Sequence, residues 1–314
     1  MCSAQEFKRI FRNNYYNKVV PLLPNLEKDR KKFVYKISFA IFCAFFLIFL
    51  MLFIYFTKVL PGEWSRSTSP LDLINIACMV GAVLCGGYAF KNSKNFEKCF
   101  NKKIMPILLD GIFQFKWTEN HQITPSDLEG FQTGKNYNCA IYDDNFKGIY
   151  KNVQISLSEV DLRKKQNFGD GDIYSSCFRG ILIRLLFEKK FLSHIIIKKK
   201  SFKNFNRYGF YKVHFKDVQF EKEYEVYSDN PNEAEDLLTD KFIWRYKNII
   251  SKFQAKKMVA DIYGNGIYLT LSINRNLFQL ATWYRPIKYV QVSEMMEELS
   301  AVLEFIDELQ VYFS

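Results

Sequence analysis

The stretch ISFAIFCAFFLIFLMLFIYF, Ile37 to Phe56, is twenty residues with one hydroxyl, Ser38, and no charge. At about 1.5 Å rise per residue a helix of that length spans roughly 30 Å, the hydrocarbon thickness of a bilayer. A second run, LDLINIACMVGAVLCGGYAF from Leu71 to Phe90, also has twenty residues, and its polar groups Asp72 and Asn75 both lie at its start. The fourteen residues between the runs are enough for a turn. The expected arrangement is a two-helix transmembrane hairpin.

The basic residues set its orientation. Nine, from Lys8 to Lys36, precede the first run; Lys58 and Arg66 lie between the runs; five, from Lys91 to Lys103, follow the second. Lys and Arg are retained on the cytoplasmic side, so both termini are expected there. A cleaved signal peptide does not fit, because 36 residues of charged and aromatic chain precede Ile37. Four segments follow: 1–36, a cytoplasmic helix and basic juxtamembrane stretch; 37–90, the hairpin (37–56, 71–90); 91–110, a cytoplasmic stem helix; and 111–314, a cytoplasmic α+β domain.

Composition agrees with an integral membrane protein carrying one soluble domain. The 314 residues are 48% hydrophobic and 17% aromatic, ample for a hairpin plus one packed core. A net charge of +11 calls for a partner of opposite sign, anionic lipid or nucleic acid. A tethered domain meets the leaflet first, which favours lipid. Of seven cysteines, Cys43, Cys78 and Cys85 lie inside the apolar runs, and the others show no CxxC spacing, as expected of reduced thiols.

Before the membrane, Phe7, Phe11, Tyr15, Val19 and Leu22 recur at helical spacing, and Pro21 and Pro24 are expected to bend or end that helix. The segment from Phe11 to Leu23 matches Phe96 to Leu108 at a constant offset, Phe11, Tyr15, Lys18 and Pro21 answering to Phe96, Phe100, Lys103 and Pro106. Both flanks are thus expected to be similar helices that break at a proline. In the second run, Ser69, Pro70 and Asp72 suit a helix start. Ala77, Gly81 and Cys85 form a small-residue seam for close approach of another helix, either the first run or a second copy of the chain. One acid at a helix end, with no basic partner in either span, argues against a transporter.

Beyond Gly111 the chain turns to short β-branched and aromatic runs. Strands are expected at Asn138–Tyr142, Gly148–Val160, Cys177–Phe187, His194–Lys199, Tyr211–Phe215 and Phe220–Tyr227. Helices are expected at Asn232–Leu238 and Phe242–Phe253, then strands Met258–Tyr263 and Ile267–Ile273 joined through Gly264, Asn265 and Gly266. From about Ser293, Met296, Leu299, Val302, Leu303, Ile306 and Leu309 make one helical stripe. The fold class is α+β, a transmembrane hairpin followed by an antiparallel-sheet domain with a long C-terminal helix. Strands closed by a helix also resemble the pleckstrin-homology-like barrel of lipid and protein adaptors.

Signals for chemistry are few. His121, His194 and His214 lack metal-ligand spacing, and no GxSxG, Walker loop or GxGxxG occurs, so no cofactor, metal or catalytic residue is expected. The Gly169–Asp172 loop lacks the further ligands of a calcium site and reads as a turn. Glu221, Glu223 and Glu225 alternate as a strand face would, and Cys177 beside Arg179 is a candidate activated thiol only if a histidine joins it. The strongest feature is the basic run Arg179 to Lys216. Within it Arg184, Lys198, Lys199, Lys200, Lys203 and Arg207, interleaved with aromatics, are the candidate lipid-head-group contacts. The acidic run Glu221 to Asp240 is the alternative partner for those cations.

The stretches CFRGILIRLLFEKKF (Cys177–Phe191) and KDVQFEKEYEVYSDNPNEAEDLLTDKFIWR (Lys216–Arg245) resemble the marked blocks of a bacterial membrane family, domain of unknown function 3137. The hairpin, SEV at Ser158–Val160 and IYLTL at Ile267–Leu271 fit it too; Leu186 departs from it where an acid is expected. The resemblance implies architecture and a bacterial inner membrane. The function expected from these readings is an uncharacterised anchored binding or adaptor module for a protein or anionic lipid. The alternative is a membrane-anchored enzyme acting on a lipid or membrane-derived substrate.

Overall fold

A computed structural model describes residues 3–59, 70–119, 128, 131, 137–168, 171–200, 209–214 and 217–313. Ser3 caps the first helix, α1 (Ala4–Asn14), its Oγ accepting from the Glu6 N–H at 3.2 Å. The expected stripe is buried at Phe7, Phe11, Tyr15 and Val19 but not at Leu22, which is 38% exposed. After Asn14 the chain widens to a π-turn (Tyr15–Val19) and tightens to a 3₁₀ turn (Val20–Leu22) before α2 (Leu23–Val59). Pro21 thus marks a change of helical pitch, and Pro24 lies in the first turn of α2, where a missing N–H costs little.

The second long helix, α3 (Pro70–Leu108), runs through Pro106 and ends two residues later, so the flanks do not break alike. The sequence match governs which residues are apolar, whereas the pitch change needs the π-turn found only on the first flank. Asp72 lies in the first turn of α3 as expected; Ser69 is outside the described residues. Both helices are long and apolar enough to cross a membrane. By packing, the chain divides into one unit of Met1–Lys18, Met105–Phe278 and Tyr289–Ser314 and another of Val19–Ile104 and Gln279–Lys288. In the second unit α2 and α3 meet through Phe33 and Phe96, ring centres 5.4 Å apart, and through Lys103 and Asp29 at 3.2 Å.

The first unit is built on one antiparallel sheet. Its strands are β1 (Lys116–Glu119), β2 (Cys139–Tyr150), β3 (Val153–Phe168), β4 (Gly171–Leu186), β5 (Ile195–Lys199), β6 (Tyr211–Val213), β7 (Tyr224–Ser228), β8 (Lys257–Tyr263) and β9 (Gly266–Ser272). Their order is β1-β2-β3-β4-β9-β8-β5-β7-β6, so the late β8–β9 hairpin inserts between β4 and β5. The order is linear with β1 and β6 at its edges, which corrects the barrel resemblance. Gly180 permits the β4–β9 contact, since a Cβ there would lie 1.8 Å from the Leu271 carbonyl oxygen.

Two strand expectations are corrected. The Gly148–Val160 run turns at Lys151 and Asn152, φ 48° and 62°, a two-residue hairpin made without the usual glycine. In Phe220–Tyr227 the first part is a helical turn, α4 (Val218–Glu223), followed by β7. Asp217 starts that turn by accepting from the Gln219 and Phe220 N–H groups at 3.0 and 2.9 Å, and Phe220 stacks on Tyr224 at 4.8 Å. Glu221 and Glu223 therefore leave the strand, and the three glutamates do not share a sheet face.

Helices α5 (Pro231–Leu237), α6 (Asp240–Lys252) and α7 (Tyr289–Phe313) complete the unit. Every residue of the expected C-terminal stripe is buried, and α7 begins four residues before Ser293. One sheet face, carrying Leu157, Ile183, Leu269, Ala260 and Ile197 in register, is fully buried. Each buried Leu or Ile among them contributes about 1.5–3 kcal/mol. Phe146 meets Phe278 at 4.6 Å, and Phe242 of α6 meets Phe305 of α7 at 5.1 Å.

Candidate functional site

Side chains alternate across a strand, so the residues between those apolar positions face the other way. Following the register, Lys116 pairs with Lys147, Lys147 with Ser156, Ser156 with Arg184, Arg184 with Tyr268, and Tyr268 with Asp261. A polar row thus crosses six strands. At its β1–β4 end lies a groove of about 370 Å³ lined by Gln114, Lys116, Lys147, Gln154, Ser156 and Arg184, with Ile149 and Leu186 as apolar neighbours. Among its described lining residues three are cations and none is an acid. Lys116 and Lys147 are directly opposite each other in the register, which brings two like charges to one face of the sheet. Two ammonium groups and a guanidinium fork can bind a phosphate or carboxylate.

Of the expected contacts, Arg184 lines this groove. Lys198 is 3% exposed; its Nζ lies 2.9 Å from Glu225 and over the Tyr227 ring at 5.5 Å. That pair joins the basic run to the acidic run inside the domain. Lys199 is half-buried at the end of β5, Lys200 is exposed with its N–H donated to the Glu223 carbonyl, and Lys203 and Arg207 lie outside the described residues. Lys116 and Lys147 were missed because they lie outside the basic run, and the register that brings them to Arg184 has no local signature.

His194 and Asp261 continue the polar row, Nε2 to Oδ1 2.6 Å, with the carboxyl 2% exposed and the ring edged by Phe210 and Tyr263. Such a pair can hold and orient a proton. Cys177 does not join it. Its Sγ is bonded to the Leu162 carbonyl at 3.0 Å, seven residues along β4 from Arg184, or about 20 Å. His214 pairs with Glu221 at 2.5 Å, and His121 and Gly169–Asp170 lie outside the described residues. Among the described residues no group of three or more His, Cys, Asp and Glu is placed to hold a metal.

A second polar cluster gathers at the irregularity in β2 between Tyr142 and Asn145. Trp117 Nε1 donates to Asp144 at 2.6 Å, and the Leu277 N–H points to Glu159 at 3.4 Å. Burial, reinforced by Asp143, raises Asp144 well above the ordinary carboxylate range and Glu159 to about 7. Burial also raises Glu298 to about 8, outweighing its bonded partner Arg275. In the helix pair, a Cβ on Gly81 would lie 2.9 Å from Leu47 Cδ1, so this part of the small-residue seam receives α2 of the same chain, while Gly86 has open space.

Residues 176–311, from β4 to α7, match the family described as Protein of unknown function (DUF3137). The blocks at Cys177–Phe191, Lys216–Arg245 and Ile267–Leu271 fall inside the match; Ser158–Val160 and the apolar helices fall outside it. The crystal structure of the mycobacterial trehalose monomycolate transport factor A, TtfA, is similar with a TM-score of 0.34 and 9% identity, covering 65% of this chain and 93% of that one. No curated protein matches the chain.

Proposed function

We propose that the chain is a bacterial inner-membrane protein whose hairpin spans the bilayer with both termini cytoplasmic, and whose sheet domain is an adaptor that binds an anionic lipid head group. The observation that supports this reading is the groove at whose lining Lys116, Lys147 and Arg184 converge, with no acid among its described lining residues. Lys199, Lys200, Lys203 and Arg207 stay in the proposal as further head-group contacts on the strength of the sequence alone; Lys198 serves the interior through Glu225. Three phosphate-directed cations near a negatively charged leaflet contribute about 1 kcal/mol each.

Native mass spectrometry of the full chain in neutral detergent tests it. Phosphatidylglycerol is expected to be retained in preference to phosphatidylcholine. The triple variant Lys116→Glu, Lys147→Glu, Arg184→Glu should lose about 10-fold or more in retention. Equal retention by variant and parent would refute the groove as the site. The His194–Asp261 pair favours a second reading, a membrane-anchored enzyme using that imidazole for proton transfer. Turnover of an added phospholipid, abolished by His194→Gln, would favour it over the adaptor.

A further inference from the structure

Between β9 and α7 the segment QLATWYRPIK, Gln279 to Lys288, packs with the unit formed by α2 and α3. Thr282 and Arg285 exchange both backbone hydrogen bonds, at 2.9 and 3.2 Å, and Thr282 Oγ1 accepts from the Arg285 N–H at 3.0 Å. This closes a two-residue turn with Trp283 and Tyr284 at its tip. Arg30 Nη1 holds the turn by donating to the Trp283 carbonyl at 2.6 Å.

The place where the indole rests is informative. Trp283 packs on Ile37, Ala40 and Ala89, together with Phe33 and Ile41. Ile37 opens the first apolar run and Ala89 nearly closes the second. The indole therefore lies at the apolar–polar boundary, at the end of the hairpin where both basic flanks begin. Tyr284, edge-on to Trp283 at 5.4 Å, is 67% exposed, and Arg285 beside it is exposed as well. Amphipathic rings favour the head-group layer, with long basic side chains reaching the phosphates. A leaflet at that level would cover the outward tyrosine ring while leaving its hydroxyl among the head groups.

We propose that the Thr282–Arg285 turn is an interfacial anchor, in which Trp283 and Tyr284 enter the head-group layer at the basic end of the hairpin while Arg285 and Lys288 meet lipid phosphates. The proposal rests on the membrane-spanning reading above. The test uses the full chain in lipid nanodiscs, labelled with fluorotryptophan, its four tryptophan resonances assigned by single Trp→Phe changes. A nitroxide on the lipid chain near the head group is expected to reduce the Trp283 signal at least about twofold more than that of Trp244. A water-soluble gadolinium chelate should reduce it less than that of Trp244. A Trp283 response equal to that of Trp244 in both arms would overturn the anchor while leaving the hairpin intact. Release of the chain from native membranes by alkaline carbonate would instead overturn the hairpin, and the anchor with it.

Discussion

Glu159 shows how burial sets chemistry one side chain at a time. It sits on β3 among apolar neighbours, with Asp143 close enough to oppose its charge and its ordinary value of 4.5 moved to about 7. A carboxyl whose folded value is raised binds its proton more tightly in the native state, so its contribution is fully present below about pH 4.5 and is lost as pH rises through 7. The shift corresponds to about 3 kcal/mol at alkaline pH. Thermal unfolding of the full chain in detergent should therefore fall between pH 5.5 and pH 8.5, and Glu159→Gln should flatten the fall. An unchanged slope in that variant would assign the pH dependence elsewhere, to Glu298 or Asp144. Nothing in the residues flanking Glu159 announces this, because SEV reads as an ordinary strand and the burial comes from the Arg275–Leu277 segment and α7.

The helix pair is a matter of shape between elements. Gly81 leaves room for Leu47, whereas Gly86 faces open space. A larger side chain at the first position must move Leu47 and loosen its seat on α3; at the second an added Cβ meets nothing within 4 Å. Gly81→Leu should therefore raise the rate at which maleimide modifies the buried Cys78 of the detergent-solubilised chain, by roughly several-fold, and Gly86→Leu should leave it unchanged. Peptide mapping of the modified cysteine reads the outcome; equal rates in both variants would mean that the seam does not seat the helix. The small-residue spacing was visible in the string, but which helix fills it depends on packing. The sheet carries the same lesson. The Gly264–Asn265 hairpin was recognisable from turn chemistry, but the Lys151–Asn152 turn was hidden by the absence of glycine, and α4 was hidden by β-like residues that Asp217 nevertheless caps into a helical turn.

For the molecule as a whole, the distribution of nine, two and five basic residues around the apolar runs makes a topology prediction. Alkaline phosphatase fused after Ser314 should be inactive in cells, with a cytoplasmic reporter at the same position active. The reverse pattern would invert the hairpin and place the basic groove on the wrong side of the membrane for an inner-leaflet ligand.

Length, apolarity, turn residues and charge bias are properties of contiguous segments, so two helices of membrane-spanning length, the α+β class and the buried stripe of α7 followed from the amino-acid order alone. A β ladder instead joins residues far apart along the chain. Only the folded arrangement could bring Lys116 and Lys147 to Arg184, bury Lys198 against Glu225, and seat Trp283 beside Ile37 and Ala89, because those meetings are set by register and packing rather than by any local pattern.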